Sequence, residues 1–178
     1  DLEIAMADEI DNFQAGINAI EKLTTGKVYL TNKVDSRLSD VEKVNINTIE
    51  GPHPSGNVGI HIHHISHLKP SELIWTINPQ DVVMIGKLFL KGVYDPSKII
   101  SVAGPGVKNP THLRVKTGYP VESILRSNLS SGDVRLISGD VLTGRECTLE
   151  DYMSFYDSSI SVISNEINRE FIGMLNPG

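Results

Sequence analysis

In Val44-Asn45-Ile46-Asn47-Thr48-Ile49-Glu50-Gly51-Pro52-His53-Pro54-Ser55-Gly56-Asn57-Val58-Gly59-Ile60-His61-Ile62-His63 the spacing of apolar residues changes period part-way along. Val44 to Ile49 alternates apolar with polar, as a half-buried strand does, while Val58, Ile62 and Ile65 recur at helical spacing. Between them lies a stiff connection: Pro52 and Pro54 fix the backbone, and Gly51, Gly56 and Gly59 permit positive φ and close approach. Ser55 is the expected cap of the helix that follows. A strand that runs through such a loop into a helix is the repeating unit of an open α/β sheet. It places the loop at a strand's carboxyl end and a helix's amino end, where these sheets bind ligands and where backbone N–H groups face outward. The candidate contact residues are therefore Gly51, Pro52, His53, Gly56 and Gly59. His53, restricted by a ring on each side, is expected to be extended with its side chain held outward.

Upstream, Ile10, Phe13, Ile17 and Ile20 predict an amphipathic helix over Glu9 to Leu23, ended near Gly26. Val28-Tyr29-Leu30 is a short β-rich run, and a helical segment is expected around Ser39 to Val41. A helix between two strands implies a βαβ layout with a parallel sheet. Downstream, Asn78 is an N-cap, Pro79 occupies the first helical position and Asp81 complements the helix dipole. That helix runs to about Lys91, with Val82, Ile85, Leu88 and Phe89 as its core face. At Gly92-Val93-Tyr94-Asp95-Pro96 the pattern changes to short strands. Ile99 to Val102, His112 to Lys116 and Val134 to Ile137 are strand candidates, with a helix at Val121 to Leu125 after Gly118-Tyr119-Pro120. Thr148 and Asp151 form a capping pair before a brief helix. Ile160 and Val162 alternate with serines as a strand, for which Phe171, Gly173 and Leu175 would supply the return. The expected division is an α/β domain over residues 1–94, an α+β module over 95–147, and a short helix with a hairpin over 148–178.

The chain has 178 residues, 39% hydrophobic and 21% charged, with a formal net charge of −6. These values fit one compact domain or two small ones, and the lack of a basic cluster argues against a nucleic-acid partner. No run of about 18 apolar residues is present to cross a bilayer. One cysteine, Cys147, forms no internal disulfide and by itself holds neither a cluster nor a structural zinc, which points to a reducing compartment. His63 and His67 share a helix face, as do His61 and His64, but no acid or cysteine stands near to complete a metal site. No serine or cysteine sits in a nucleophile motif. No Gly-x-Gly-x-x-Gly joins a strand to a helix: Gly104-Pro105-Gly106 runs into Val107-Lys108-Asn109-Pro110 in a strand-rich setting.

The loop at Gly51, followed in order by Ile74-Trp75-Thr76-Ile77-Asn78-Pro79-Gln80-Asp81-Val82, Ile85-Gly86-Lys87-Leu88-Phe89, Val102-Ala103-Gly104-Pro105-Gly106-Val107-Lys108-Asn109-Pro110 and Leu136-Ile137-Ser138-Gly139-Asp140-Val141-Leu142-Thr143-Gly144, resembles the A-subunit family of the bacterial sodium-translocating NADH:quinone oxidoreductases. Of the histidines, the family's motif matches His53, His61 and His63. The resemblance covers nearly the whole chain and implies the middle part of a longer subunit. It implies a Rossmann-like three-layer domain followed by a β-grasp module of the soluble-ligand-binding type. It further implies a peripheral piece on the cytoplasmic side of the inner membrane, partnered by other subunits and above all by one in the membrane. The whole enzyme uses NADH, flavins and ubiquinone to drive sodium export. The missing phosphate-binding glycines imply that this portion binds no cofactor of its own and has no turnover alone. The loop at Gly51 to Gly59 is then expected to contribute a quinone-site or subunit contact, with His53 and loop N–H groups as donors. The alternative is a purely structural adaptor with no small-molecule site. A more distant rival, the C subunit of the related electron-transport complex, carries iron–sulfur clusters for which one cysteine does not suffice.

Overall fold

A computed structural model of the chain describes residues 5–6, 8–34, 36–66 and 69–165. The chain divides into two compact units, Asp1–Pro96 and Ser97–Gly178. Both mix helices with sheet, so the architecture is α/β in the broad sense.

The first unit contains α1 (Ile10–Leu23), β1 (Tyr29–Asn32), a 3-10 turn (Arg37–Ser39), β2 (Asn45–Thr48), α2 (Val58–Ile65) and α3 (Pro79–Lys91). β1 and β2 run parallel, with Tyr29 opposite Asn45 and Asn32 opposite Thr48. The segment expected as a helix around Ser39 to Val41 is instead the single 3-10 turn. The core gathers Phe13 and Ile17 of α1, Leu38 and Val41 beyond β1, and Val82 and Val83 of α3. α1 and α3 pack through glycines: a methyl group added at Gly16 would lie 2.1 Å from the Val82 carbonyl oxygen, and one at Gly86 only 1.7 Å from that of Asn12. Small residues let two helix backbones meet where side chains would hold them 8–10 Å apart. This seam corrects the expected face of α3. Val82, Val83, Met84 and Gly86 are buried, whereas Leu88 and Phe89 are exposed. The Gly86 contact turns the buried stripe about the helix axis, away from the last turn. The ends of α3 are as its residues dictate: Asn78 Oδ1 accepts from Gln80 N at 2.9 Å, and Gly92, with φ of 65°, donates its N–H to Leu88 O. Lys87 Nζ donates to Glu9 Oε1 at 2.7 Å and to Asp95 Oδ2 at 3.4 Å, tying the N-cap of α1 to α3 and the chain beyond it.

The second unit contains β3 (Ser97–Ala103), β4 (Thr111–Lys116), α4 (Val121–Leu125), β5 (Val134–Ser138), β6 (Arg145–Cys147) and β7 (Ser159–Ser164). They form a mixed five-stranded sheet in the order β4-β3-β7-β5-β6. Only the β3–β7 pair is parallel. Inward positions alternate along β3 (Ile100, Val102) and β7 (Ile160, Val162), and α4 lays Val121, Ile124 and Leu125 on the same core. Cys147 joins that core from β6; burial pushes its thiol pKa up, the Asp151 carboxylate adding to the effect, so it is a packing residue and a poor nucleophile. Lys98 is buried at the edge of the core, its Nζ donating to Phe155 O at 2.6 Å and lying 4.3 Å from the centre of the Phe155 ring.

One expectation fails here. Thr148 and Asp151 do bond each other, Thr148 N donating to Asp151 Oδ2 at 2.8 Å, but they close a turn and not a helix. The chain is recruited at once by other partners: Tyr152 bridges Pro120, and Met153 is buried in the core. Beyond Cys147 the chain supplies β7, the central strand of the sheet. The return strand expected at Phe171, Gly173 and Leu175 lies outside the described residues. Asp140 orders the β5–β6 turn, its carboxylate accepting from Thr143 Oγ1, Leu142 N and Thr143 N; these bonds hold its pKa below the ordinary value, as those from Thr148 do for Asp151.

Candidate functional site

At the carboxyl ends of the parallel strands β1 and β2 lies an open cleft of about 380 Å³, within the range of small-ligand pockets. Its floor is polar because both strands end in polar residues: Thr31 from β1, Asn47 and Thr48 from β2, with Glu50 just beyond. Its wall is α2, which contributes Ile60 and Ile65 as apolar surface and His61 and His64 as imidazoles. None of the residues of α2 is fully buried. Parallel pairing puts both strand ends on one side, and the loop of residues 49–57 carries the chain from β2 directly to α2.

Ser55, the expected cap of α2, does not cap it. Asn57 is the N-cap, with extended backbone and no side-chain cap bond, and the Ser55 hydroxyl donates to Gly51 O at 2.8 Å. Ser55 O is in turn bonded to His61 Nε2 at 2.8 Å. A carbonyl oxygen only accepts, so Nε2 is the donor in this bond. The loop is thus closed on itself through Gly51, Ser55 and His61.

Of the five residues singled out from the sequence, all stand in the loop or at the start of α2, and none lines the cleft. Gly51 has φ of 140°, a conformation that favours glycine. Pro52 and His53 are exposed, and the His53–Pro54 peptide is cis. Methyl groups added at Gly56 and Gly59 would meet nothing within 4 Å. The structure brings Ser55 and His61 into the cleft beside strand-end residues that sequence reasoning passed over. The signal was present in Thr31-Asn32 and Asn47-Thr48, where each strand turns polar at its carboxyl end.

Hydroxyls, one amide, two imidazoles and a carboxylate around Ile49, Ile60 and Ile65 suit a small molecule with an apolar ring and polar edges. Nothing in the cleft is arranged for covalent catalysis, since the Ser55 hydroxyl is engaged by a carbonyl and not by a base. Among the described residues no three His, Cys, Asp or Glu side chains converge on a metal position. His67, the partner considered for His63, lies outside them. No helix of the described residues is long and apolar enough to cross a membrane.

Fold and site together define an α/β protein of two units with a cleft at a strand end. A family model described as the NqrA second alpha/beta domain matches residues 1–94, and one described as the NQRA C-terminal domain matches residues 99–148. The chain belongs to the NqrA family. It is 36% identical over 177 residues to the A subunit of the Na(+)-translocating NADH-quinone reductase of Marinomonas sp. (strain MWYL1), covering 99% of this chain and 40% of that protein. It is 35% identical to the A subunit from Pasteurella multocida (strain Pm70), covering 100% of this chain and 41% of that one. With its counterpart from Vibrio atlanticus (strain LGP32) it shares 36% identity over 178 residues, 99% and 40% of the two chains. The chain therefore spans about two-fifths of the length of the curated relatives it matches.

Proposed function

We propose that this chain is part of the A subunit of a respiratory sodium pump, an oxidoreductase complex that couples NADH oxidation and quinone reduction to sodium transport. In this reading it is a peripheral piece on the cytoplasmic side of the membrane, held by other subunits of the complex and chiefly by one in the membrane. The first unit acts as a Rossmann-like layer and the second as a β-grasp-like module, the two domains dividing near Tyr94. The cleft between the strand ends and α2, with the adjoining loop Gly51 to Gly59, takes a quinone head group or a neighbouring subunit. The observation that carries this reading is the position of the cleft: a chain of this family has a pocket of ligand size where open α/β sheets bind ligands. Two carbonyl oxygens on an apolar ring need a few donors over apolar walls, and the Thr31 and Thr48 hydroxyls beside Ile60 and Ile65 supply that chemistry.

A photoreactive quinone analogue applied to the whole complex tests it. Label is expected on residues 49–65, and His53→Ala in the complex is expected to lower quinone reduction or assembly several-fold while changing the stability of the chain by no more than about 1 kcal/mol, as for an exposed side chain. Label confined to other subunits excludes the quinone role. Gly51, Pro52, His53, Gly56 and Gly59 point to solvent and not into the cleft, which favours a subunit contact for the loop itself. Loss of assembly without label is the outcome of a purely structural adaptor.

The chain alone is not expected to bind FMN or NADH or to turn over, because no phosphate-cradling glycine loop joins a strand to a helix. Calorimetric titration of the purified chain should give no binding heat with either cofactor. Micromolar binding of either one would overturn this and assign the cleft to a nucleotide.

A further inference from the structure

We propose that Leu73-Ile74-Trp75-Thr76-Ile77 is a β-strand without its partner here, and that the partner is a strand of the same polypeptide lying outside residues 1–178. The proposal does not depend on the quinone reading of the cleft. The segment has no helix, turn or bend and belongs to no sheet. Among the described residues no hydrogen bond engages any of its backbone groups. Five consecutive residues whose N–H and C=O groups have no partner among the described residues form a strand edge, the template on which another strand pairs. Their side chains are those of a buried strand and not of a loop. Leu73, Trp75 and Ile77 share one face at 78%, 87% and 47% exposure. Such a run of large apolar residues in solvent marks a surface that something covers.

The order of elements says what kind of partner this is. β2, α2, residues 73–77 and α3 follow one another as strand, helix, unpaired apolar segment, helix, which matches the alternation of a parallel α/β layer, and Ile77 passes straight into the Asn78 cap of α3. The segment thus occupies the place of a third strand in that layer. The layer is incomplete: β1 and β2, four residues each, form a two-stranded sheet, less than what holds together in water unaided. α1 also leads into β1 with no strand before it among the described residues, although a helix crossing to a parallel strand normally starts from one.

The rest of the polypeptide is the fitting source of the missing strand. About three-fifths of each relative lies beyond the region this chain matches. The model that matches residues 1–94 is by its description a second α/β domain, so family members carry α/β polypeptide besides it. A strand in the same chain also arrives at high effective concentration, which a separate molecule does not.

Hydrogen exchange over residues 72–78 decides the matter in three samples: residues 1–178 alone, the complete natural polypeptide, and that polypeptide within its complex. The complete polypeptide by itself is expected to exchange these amides about 100-fold more slowly than residues 1–178 do, the protection of a paired strand. Equal, fast exchange in both overturns the proposal. Protection that appears only in the complex assigns the edge to a different polypeptide of that complex, and protection in residues 1–178 that rises with concentration assigns it to a second copy; either result overturns it too. Trp75→Pro and Thr76→Pro, which remove donors on the two opposite edges of the strand, give a second reading. At least one should abolish the protection in the complete polypeptide, and retention of protection in both counts against strand pairing.

Discussion

Gly86→Ala should destabilise the chain by about 4 kcal/mol, more than overpacking a flexible core does. The added methyl would lie 1.7 Å from the Asn12 carbonyl oxygen and 2.7 Å from its carbon, well inside the 3.0 Å that real Cβ contacts keep. The obstacle is backbone on a neighbouring helix, so no side-chain rotation relieves it. α1 and α3 must instead move apart, and Phe13, Ile17, Val82 and Val83 lose contact along the seam. Gly16→Ala meets the Val82 carbonyl oxygen at 2.1 Å and should act in the same direction. Gly59→Ala is the internal control. It lies in α2 with open space around it, where alanine favours the helix by up to about 1 kcal/mol. Urea denaturation of the three variants should rank them with Gly59→Ala at or above the parent and Gly86→Ala far below. A Gly86→Ala midpoint equal to the parent's would mean that the helices do not meet at these glycines.

The seam also explains where the amino-acid pattern was readable and where it was not. α1 and α4 follow their apolar spacing within a residue of the expected bounds, and the ends of α3 follow Asn78, Pro79 and Gly92, because capping is local chemistry written in the capping residues themselves. Which face of α3 is buried is not local. It depends on Gly16, seventy residues earlier in the chain, and glycine carries no hydrophobic signal. Likewise Asp151 accepts from both the N–H and the hydroxyl of Thr148, half of a capping box, yet the helix never starts, since Tyr152 and Met153 are claimed by Pro120 and the core. β6 escaped notice because Arg145-Glu146-Cys147 has one inward residue, too short to show a period. The position of β7 in the middle of the sheet is a matter of pairing between distant segments, which strand-by-strand periodicity does not encode.

For the site, the glycines and prolines of the loop announced a strand-to-helix connection, and the connection is there. They did not announce which side chains face the cleft. The loop turns its Gly51, Pro52, His53 and Gly56 outward, while the lining comes from strand ends and from one face of α2. A loop is conspicuous for what its backbone must do, whereas a lining is set by which strands end together, and that needs the β1–β2 register.

Gly104→Ala should unseat the central strand of the second unit, at a cost of about 3 to 5 kcal/mol. Two separate penalties meet at this position. Gly104 has φ of 117°, a conformation that costs an alanine on the order of 1–3 kcal/mol. The new methyl would also lie 2.1 Å from Val162 O, the acceptor of the Gly106 N–H at 3.1 Å. Gly104-Pro105-Gly106 is therefore no phosphate loop: it folds the chain closely over β7 as β3 ends. Gly106→Ala meets a movable side chain, Val162 Cγ1 at 2.5 Å, and should cost less. Gly132→Ala isolates the conformational part, since Gly132 has φ of 128° and nothing within 4 Å of an added methyl. The expected order of destabilisation is Gly104→Ala first, with Gly106→Ala and Gly132→Ala each at about 1–2 kcal/mol. If Gly104→Ala and Gly132→Ala unfold at the same urea concentration, the contact with β7 contributes nothing and only the backbone angle matters.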